Sequence, residues 1–110
     1  LISSDVIRGH IDTIILKLLL EKDRYGYELA SEIKTRTGGK FDVKEATLYA
    51  VVQRLESKEL IVSYMGEKSH GGKRRYYRVT PLGRAYFREL LDEWRLLGQI
   101  MSDMLGSDPQ

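Results

Sequence analysis

Between Lys44 and Thr80 the chain carries residues able to read a surface rather than merely fold. Leu48, Val51, Val52 and Leu55 recur at helical spacing and define an apolar stripe. The opposite face of that helix holds Ala46, Ala50, Gln53, Arg54 and Ser57, with Tyr49 at its edge and Lys44 and Thr47 near its start. Two alanines and a serine leave little bulk, so the backbone can lie close to another surface, such as the floor of a DNA major groove. There an alanine can touch a thymine methyl and Gln53 can form paired hydrogen bonds to adenine. A solvated helix carrying alanine for its helix propensity has the same pattern.

The next residues favour the first reading. Leu60 to Met65 and Arg75 to Val79 are β-branched and aromatic runs, read as two strands. The glycine-containing segment between them supplies Lys68, His70, Lys73, Arg74 and Arg75 at or near one hairpin tip. Alternation sends Tyr77 and Val79 to one face, and Tyr76 and Arg78 to the other. A small-faced helix followed at once by a basic hairpin is the layout of a winged helix-turn-helix, in which the helix enters the major groove and the wing reaches phosphate or the minor groove.

Charge is distributed accordingly. Net charge is only +2, but residues 40–78 hold nine basic and five acidic side chains, residues 1–39 six of each, and residues 79–110 three basic and five acidic. The length suits one domain. Leu1 rather than methionine reads as a start that is missing or processed. The absence of cysteine excludes disulfides and thiolate metal sites and fits a cytoplasmic protein. No signal peptide and no apolar run of membrane-spanning length is seen, so no membrane association is expected. His10 and His70 are far apart in sequence and form no ligand-spaced pair, so neither metal nor cofactor is expected. No nucleophile stands beside a base and no phosphate-loop motif occurs, which argues against an enzyme. A protein-interaction module without an effector is the alternative to DNA binding, and RNA recognition lacks its usual aromatic signatures.

The elements that would position this site are mostly helical. A first helix, capped by Ser4 or Asp5, is expected to run to about Glu21, apolar on more than one side and therefore packed against its own domain and a partner. Lys22–Arg24 reads as a charged turn. A second helix, about Gly26 to Thr37, turns Leu29, Ala30 and Ile33 inward and ends at Gly38-Gly39. Tyr25 and Tyr27 are read as core aromatics, one of which could instead donate to a phosphate, the core being favoured for Tyr27. Tyr25 is either a core aromatic or a phosphate donor near a helix start. Asp42 is expected to open the small-faced helix through an Asp42-x-x-Glu45 capping box. Thr80-Pro81 opens the last helix, about Pro81 to Leu105, whose apolar residues recur every three or four positions from Leu82 to Met104. The domain before it is too short to cover that stripe, so a second copy is expected to, in a symmetric homodimer reading an inverted repeat in double-stranded DNA. The fold class is thus mostly α with a small β-hairpin (α+β). Residues 1–79 form a winged helix-turn-helix domain, residues 80–105 a C-terminal dimerisation helix, and residues 106–110 a flexible tail.

Glu45-Ala-Thr-Leu-Tyr49, Arg54-Leu-Glu56, Leu60-Ile61, Gly72-Lys-Arg-Arg-Tyr-Tyr77 and Val79-Thr-Pro-Leu-Gly83 stand in the order and spacing of the PadR family of transcriptional regulators. The resemblance begins at the Ile15–Leu19 pattern and the Tyr25-Gly-Tyr-Glu-Leu29 segment. With one C-terminal helix and a central tryptophan, the chain is similar to that family's small, LmrR-like, multidrug-responsive subgroup. The resemblance implies a dimeric bacterial repressor, a phosphate contact from Tyr49 and a flat aromatic effector bound between subunits. Gly98, one turn beyond Trp94, costs the helix about 1 kcal/mol relative to alanine. Room for a ligand beside the indole explains it, and so does close helix packing. The expected ligand site comprises Trp94, Leu97 and Met101 with Ile11 or Ile14 from the first helix, taking a planar and preferably cationic compound.

Overall fold

The computed structural model describes residues 3–67 and 72–106, so Lys68, His70 and all of the expected tail beyond Gly106 lie outside it. Among the described residues five helices and three short strands follow one another: α1 (Ser4–Arg8), α2 (Ile11–Glu21), β1 (Arg24–Tyr25), α3 (Gly26–Arg36), α4 (Glu45–Ser57), β2 (Ile61–Glu67), β3 (Lys73–Val79) and α5 (Pro81–Leu105). The strands make one antiparallel sheet in the order β1-β3-β2. This is the mostly helical winged helix-turn-helix architecture read from the sequence, α3 and α4 being the helix pair and β2–β3 the wing.

A single apolar core joins these elements. Ile11, Ile15, Leu16, Leu18 and Leu19 of α2 pack with Leu29 and Ile33 of α3 and the Leu48, Val51, Val52 and Leu55 stripe of α4. Tyr77 and Val79 close it from the sheet, as their alternation requires. At the far end of α4, Glu59 takes a left-handed conformation (φ 62°), and the Leu60 amide donates back to the Leu55 carbonyl at 3.0 Å. That tight reversal carries the chain straight from the helix into β2.

Several local expectations are corrected. The first helix is broken: the Gly9 and His10 amides donate to Val6 and Ile7 carbonyls at 3.3 and 2.9 Å, and α2 restarts at Ile11. Glycine's poor helix propensity weakens this junction, and Ser3, not Ser4 or Asp5, is the capping residue. The Asp42–Glu45 capping box does not form; α4 begins at Glu45, with Lys44 in the cap position and no side-chain cap. Phe41 and Val43 are both buried with Asp42 exposed between them, so this segment is anchored in an extended, alternating form and the helix starts after it. Arg24 lies not in a free turn but in a strand. Its side chain is buried, donating to the Leu18 carbonyl at 3.1 Å and to Glu21 at 2.9 Å. Tyr27 is 73 % exposed, because it sits on the side of α3 opposite Leu29 and Ile33. The faces of α2 expected to need a partner are covered in part by the chain's own α5: Tyr86, Phe87 and Leu90 pack against the core.

The start of α5 is fixed to the base of the wing. The Thr80 hydroxyl accepts from the Gly83 amide at 3.0 Å, and the Thr80 amide donates to the Leu60 carbonyl at 3.0 Å. Gly83 lies so close to that carbonyl that any side chain there would collide with it. Beyond Leu91 the helix leaves the domain: Asp92 to Leu105 are all exposed, among them Leu96, Leu97, Ile100, Met101 and Met104. No helix among the described residues is long and apolar enough to cross a membrane.

Candidate nucleic-acid interface

A cleft of about 900 Å³ opens where the start of α3, the outer face of α4 and the wing meet. Its walls include Tyr25, Gly26 and Tyr27 at the start of α3, Tyr49, Gln53 and Glu56 on α4, and Lys73, Arg74 and Arg75 on β3. The elements converge because each is pinned. The core stripe of α4 turns Ala46, Ala50, Gln53 and Arg54 outward, and all four are exposed. Tyr49 leans across to α3, its hydroxyl filling the space a side chain at position 26 would need. Arg75 donates at 2.9 Å to the Ser63 hydroxyl, which donates at 2.5 Å to Glu56, tying wing to helix.

The cleft is cationic and aromatic. Lys73, Arg74 and Arg75 face a single carboxylate, Glu56, which Ser63 already engages. Burial raises the pKa of the Tyr77 phenol at the cleft wall, with the neighbouring Tyr49 a smaller contribution. Such a surface suits a polyanion whose phosphates meet cations and hydroxyls while a helix presents base-reading groups.

Of the residues singled out from the sequence, Tyr25, Tyr49, Gln53, Lys73, Arg74 and Arg75 are brought together here. Lys44, Thr47 and Arg54 instead border a smaller hollow of about 280 Å³ beside Ile7 and Arg8. Arg54 is ion-paired to Asp12 of α2. Glu56 was not anticipated, and Tyr27, favoured for the core, stands in the cleft instead. The period of α3 could have placed Tyr27 outward, and Glu56 follows Gln53 by one helical step.

A second, apolar pocket of about 560 Å³ lies between α2, the end of α3 and α5. Ile14, Leu18, Ile33, Phe87, Leu91 and Trp94 form its apolar lining, and Trp94 is 56 % exposed. The expected Ile14 and Trp94 meet here, whereas Ile11 is buried in the core and Leu97 and Met101 stand exposed further along α5. The ionisable groups in the lining, His10, Lys17 and Arg36, are all basic. Lys17 is ion-paired to Glu21, and Arg36 to Glu21 and Glu32, so these cations are already balanced and the pocket shows no preference for a charged ligand of either sign. Gly98 faces open space in the single chain. Among the described residues no cluster of metal-ligating side chains occurs.

A winged helix beside a cationic cleft is the layout of a transcriptional regulator. The family model of the PadR-like transcriptional regulators matches residues 15–89, and the chain belongs to that family. An uncharacterized protein of Lysinibacillus sphaericus is 59 % identical over 101 residues, covering 92 % of this chain and 93 % of its own length. The structure of a transcriptional regulator from Clostridium thermocellum is similar with a TM-score of 0.85 at 44 % identity, covering 93 % of this chain and 99 % of that one. A PadR family transcription regulator from Clostridium difficile gives 0.77 at 39 % identity, over 89 % and 100 % of the two chains.

Proposed function

We propose that the protein is a homodimeric, sequence-specific repressor that reads an inverted repeat, with α4 in the major groove and the wing on flanking phosphates. The observation carrying this is the convergence of Gln53, Tyr49 and the wing cations on one cleft beside a helix face of alanines. The exposed apolar end of α5 supports the dimer, since Leu96, Leu97, Ile100 and Met101 have no cover in the single chain. Two-fold pairing presents two equivalent recognition helices, hence an inverted repeat.

We further assign the α2–α3–α5 pocket to a planar aromatic effector stacked on Trp94, as in the small multidrug-responsive subgroup. The mostly apolar lining, with Lys17 and Arg36 already ion-paired, suits a neutral planar compound. To release DNA, such a ligand must bind one arrangement of the two winged domains several kcal/mol better than the other, about 5.5 kcal/mol for a shift from one per cent to ninety-nine. Genomic selection of bound fragments, followed by titration of the recovered site at increasing salt, tests the DNA reading. Affinity should fall steeply with salt as phosphate contacts release counterions. Salt-insensitive binding, or recovery of no inverted repeat, would favour a protein-interaction module instead.

A further inference from the structure

The outer face of the sheet carries a continuous ladder of cations and rings. Arg74, Tyr76 and Arg78 alternate along β3 and therefore share this face. The Arg78 guanidinium lies 4.9 Å from the centroid of the Tyr64 ring. Tyr64 stacks on Tyr76 at 5.7 Å, and Tyr76 meets Tyr25 edge-on at 5.5 Å. The Arg74 guanidinium lies over the Tyr25 ring at 4.2 Å. Asp23 locks the far end, accepting from the Tyr64 hydroxyl at 2.6 Å and from Arg78 at 3.1 Å. Gly66 makes room: it is paired with Arg74 in register, and the Tyr76 ring covers the site where its side chain would be. Arg75, on the other face of β3, is held separately by Ser63.

We propose that Tyr25 is a positioning residue: its ring holds the Arg74 guanidinium at the cleft wall, ready for a DNA phosphate, with the ladder behind it fixing the ring. Arg74 starts from the sheet face opposite Arg75. Tyr25, on the edge strand β1 and in the cap position of α3, is the group that gathers it toward the cleft. The contact needs the ring, not the hydroxyl, because a cation is drawn to the π-face. This role rests on the proposed contact between the wing and phosphate.

The test is a double-mutant cycle on the full chain, read as affinity for the recovered DNA site over a range of salt. Tyr25→Phe, which keeps the ring, should lose clearly less affinity than Tyr25→Leu. Tyr25→Leu should weaken binding roughly two- to fivefold, the range of an exposed cation–π contact. In an Arg74→Ala background Tyr25→Leu should cost nothing further. Equal losses for Tyr25→Phe and Tyr25→Leu would overturn the proposal in favour of a direct hydroxyl contact, and additive losses would overturn it in favour of general destabilisation. An Arg74→Ala protein that binds normally would remove the wing contact itself, and the proposal with it. A second measurement needs neither DNA nor a stable leucine variant. The Arg74 side-chain protons, assigned by NMR in the unmodified protein, should be shifted upfield by the Tyr25 ring. Resonances at ordinary arginine positions would overturn the proposed placement.

Discussion

Helix α3 has a different hollow at each end. At its start lies the open cleft, walled by tyrosines and wing cations; at its end lies the apolar pocket, walled by Ile14, Phe87, Leu91 and Trp94. The cleft is assembled from polar groups that already hold one another, through the Glu56–Ser63–Arg75 chain and the Tyr25–Arg74 contact. The pocket is assembled from side chains whose cover is incomplete. The first hollow is therefore ready to meet a charged surface, while the second is a place where apolar area remains to be removed from water. One helix, α3, separates them.

The largest effect is expected from placing charge on the apolar end of α5. Leu97→Glu combined with Met101→Glu should weaken dimerisation by on the order of a hundredfold or more, since burying each such side chain contributes about 1.5–3 kcal/mol. Sedimentation at micromolar concentration should show monomers, with the fold intact by circular dichroism. Leu90 is a poorer probe, because it packs against the domain's own core. A dimeric double variant would mean that α5 is not the interface.

At the cleft, Gln53→Ala should change base preference at one position of each half-site by about 1–3 kcal/mol, whereas Lys73→Ala should weaken all sequences alike. Competition binding on a set of single-base variants separates the two. At the pocket, Trp94 is the chain's only tryptophan, so quenching of its fluorescence reports occupancy directly. Neutral planar aromatic compounds should quench it at lower concentration than aliphatic compounds of similar size. Trp94→Ala should lower dye affinity by roughly three- to tenfold, the worth of one aromatic stack, while leaving the dimer intact.

The smallest expected effect concerns acid. The Glu21 carboxyl is held at about 2, against an ordinary 4.5, chiefly by its hydrogen bond with Arg36 and further by Arg24 and Lys17. A pKa depressed by folding contributes stability above the unfolded value, and that contribution fades as pH falls from about 4.5 toward 2. Glu21→Gln should therefore lower the melting temperature slightly at neutral pH. The gap should close on acidification through that window. A gap independent of pH would assign Glu21 a packing role instead.

The sequence made the long elements plain and the short ones obscure. Thr80-Pro81 marks the start of α5, and the apolar stripe of α4 and the alternation of Tyr77 and Val79 require no knowledge of the rest of the chain. Strand β1 has two residues, too few for any period, and exists because Arg24 and Tyr25 pair with Tyr77 and Tyr76 far along the chain. Arg24 is buried only because Leu18, Glu21 and Glu32 surround it, a circumstance that charge alone argues against. The pocket is similar: Trp94 and Ile14 stand out as residues, but Ile33 and Phe87 join them only once α3 and α5 are packed.

The contact of Gly83 with the Leu60 carbonyl has a mechanical consequence. With Thr80 hydrogen-bonded to the same carbonyl, the root of α5 is welded to the strand that leads out of α4. The helix, about 37 Å long at 1.5 Å per residue, is thus a spar clamped at one end, with no swivel between it and the wing. Tilting two such spars against each other at their free halves cannot be absorbed at the root. In the proposed dimer, such a tilt would reappear as a change in the spacing of the two α4 helices.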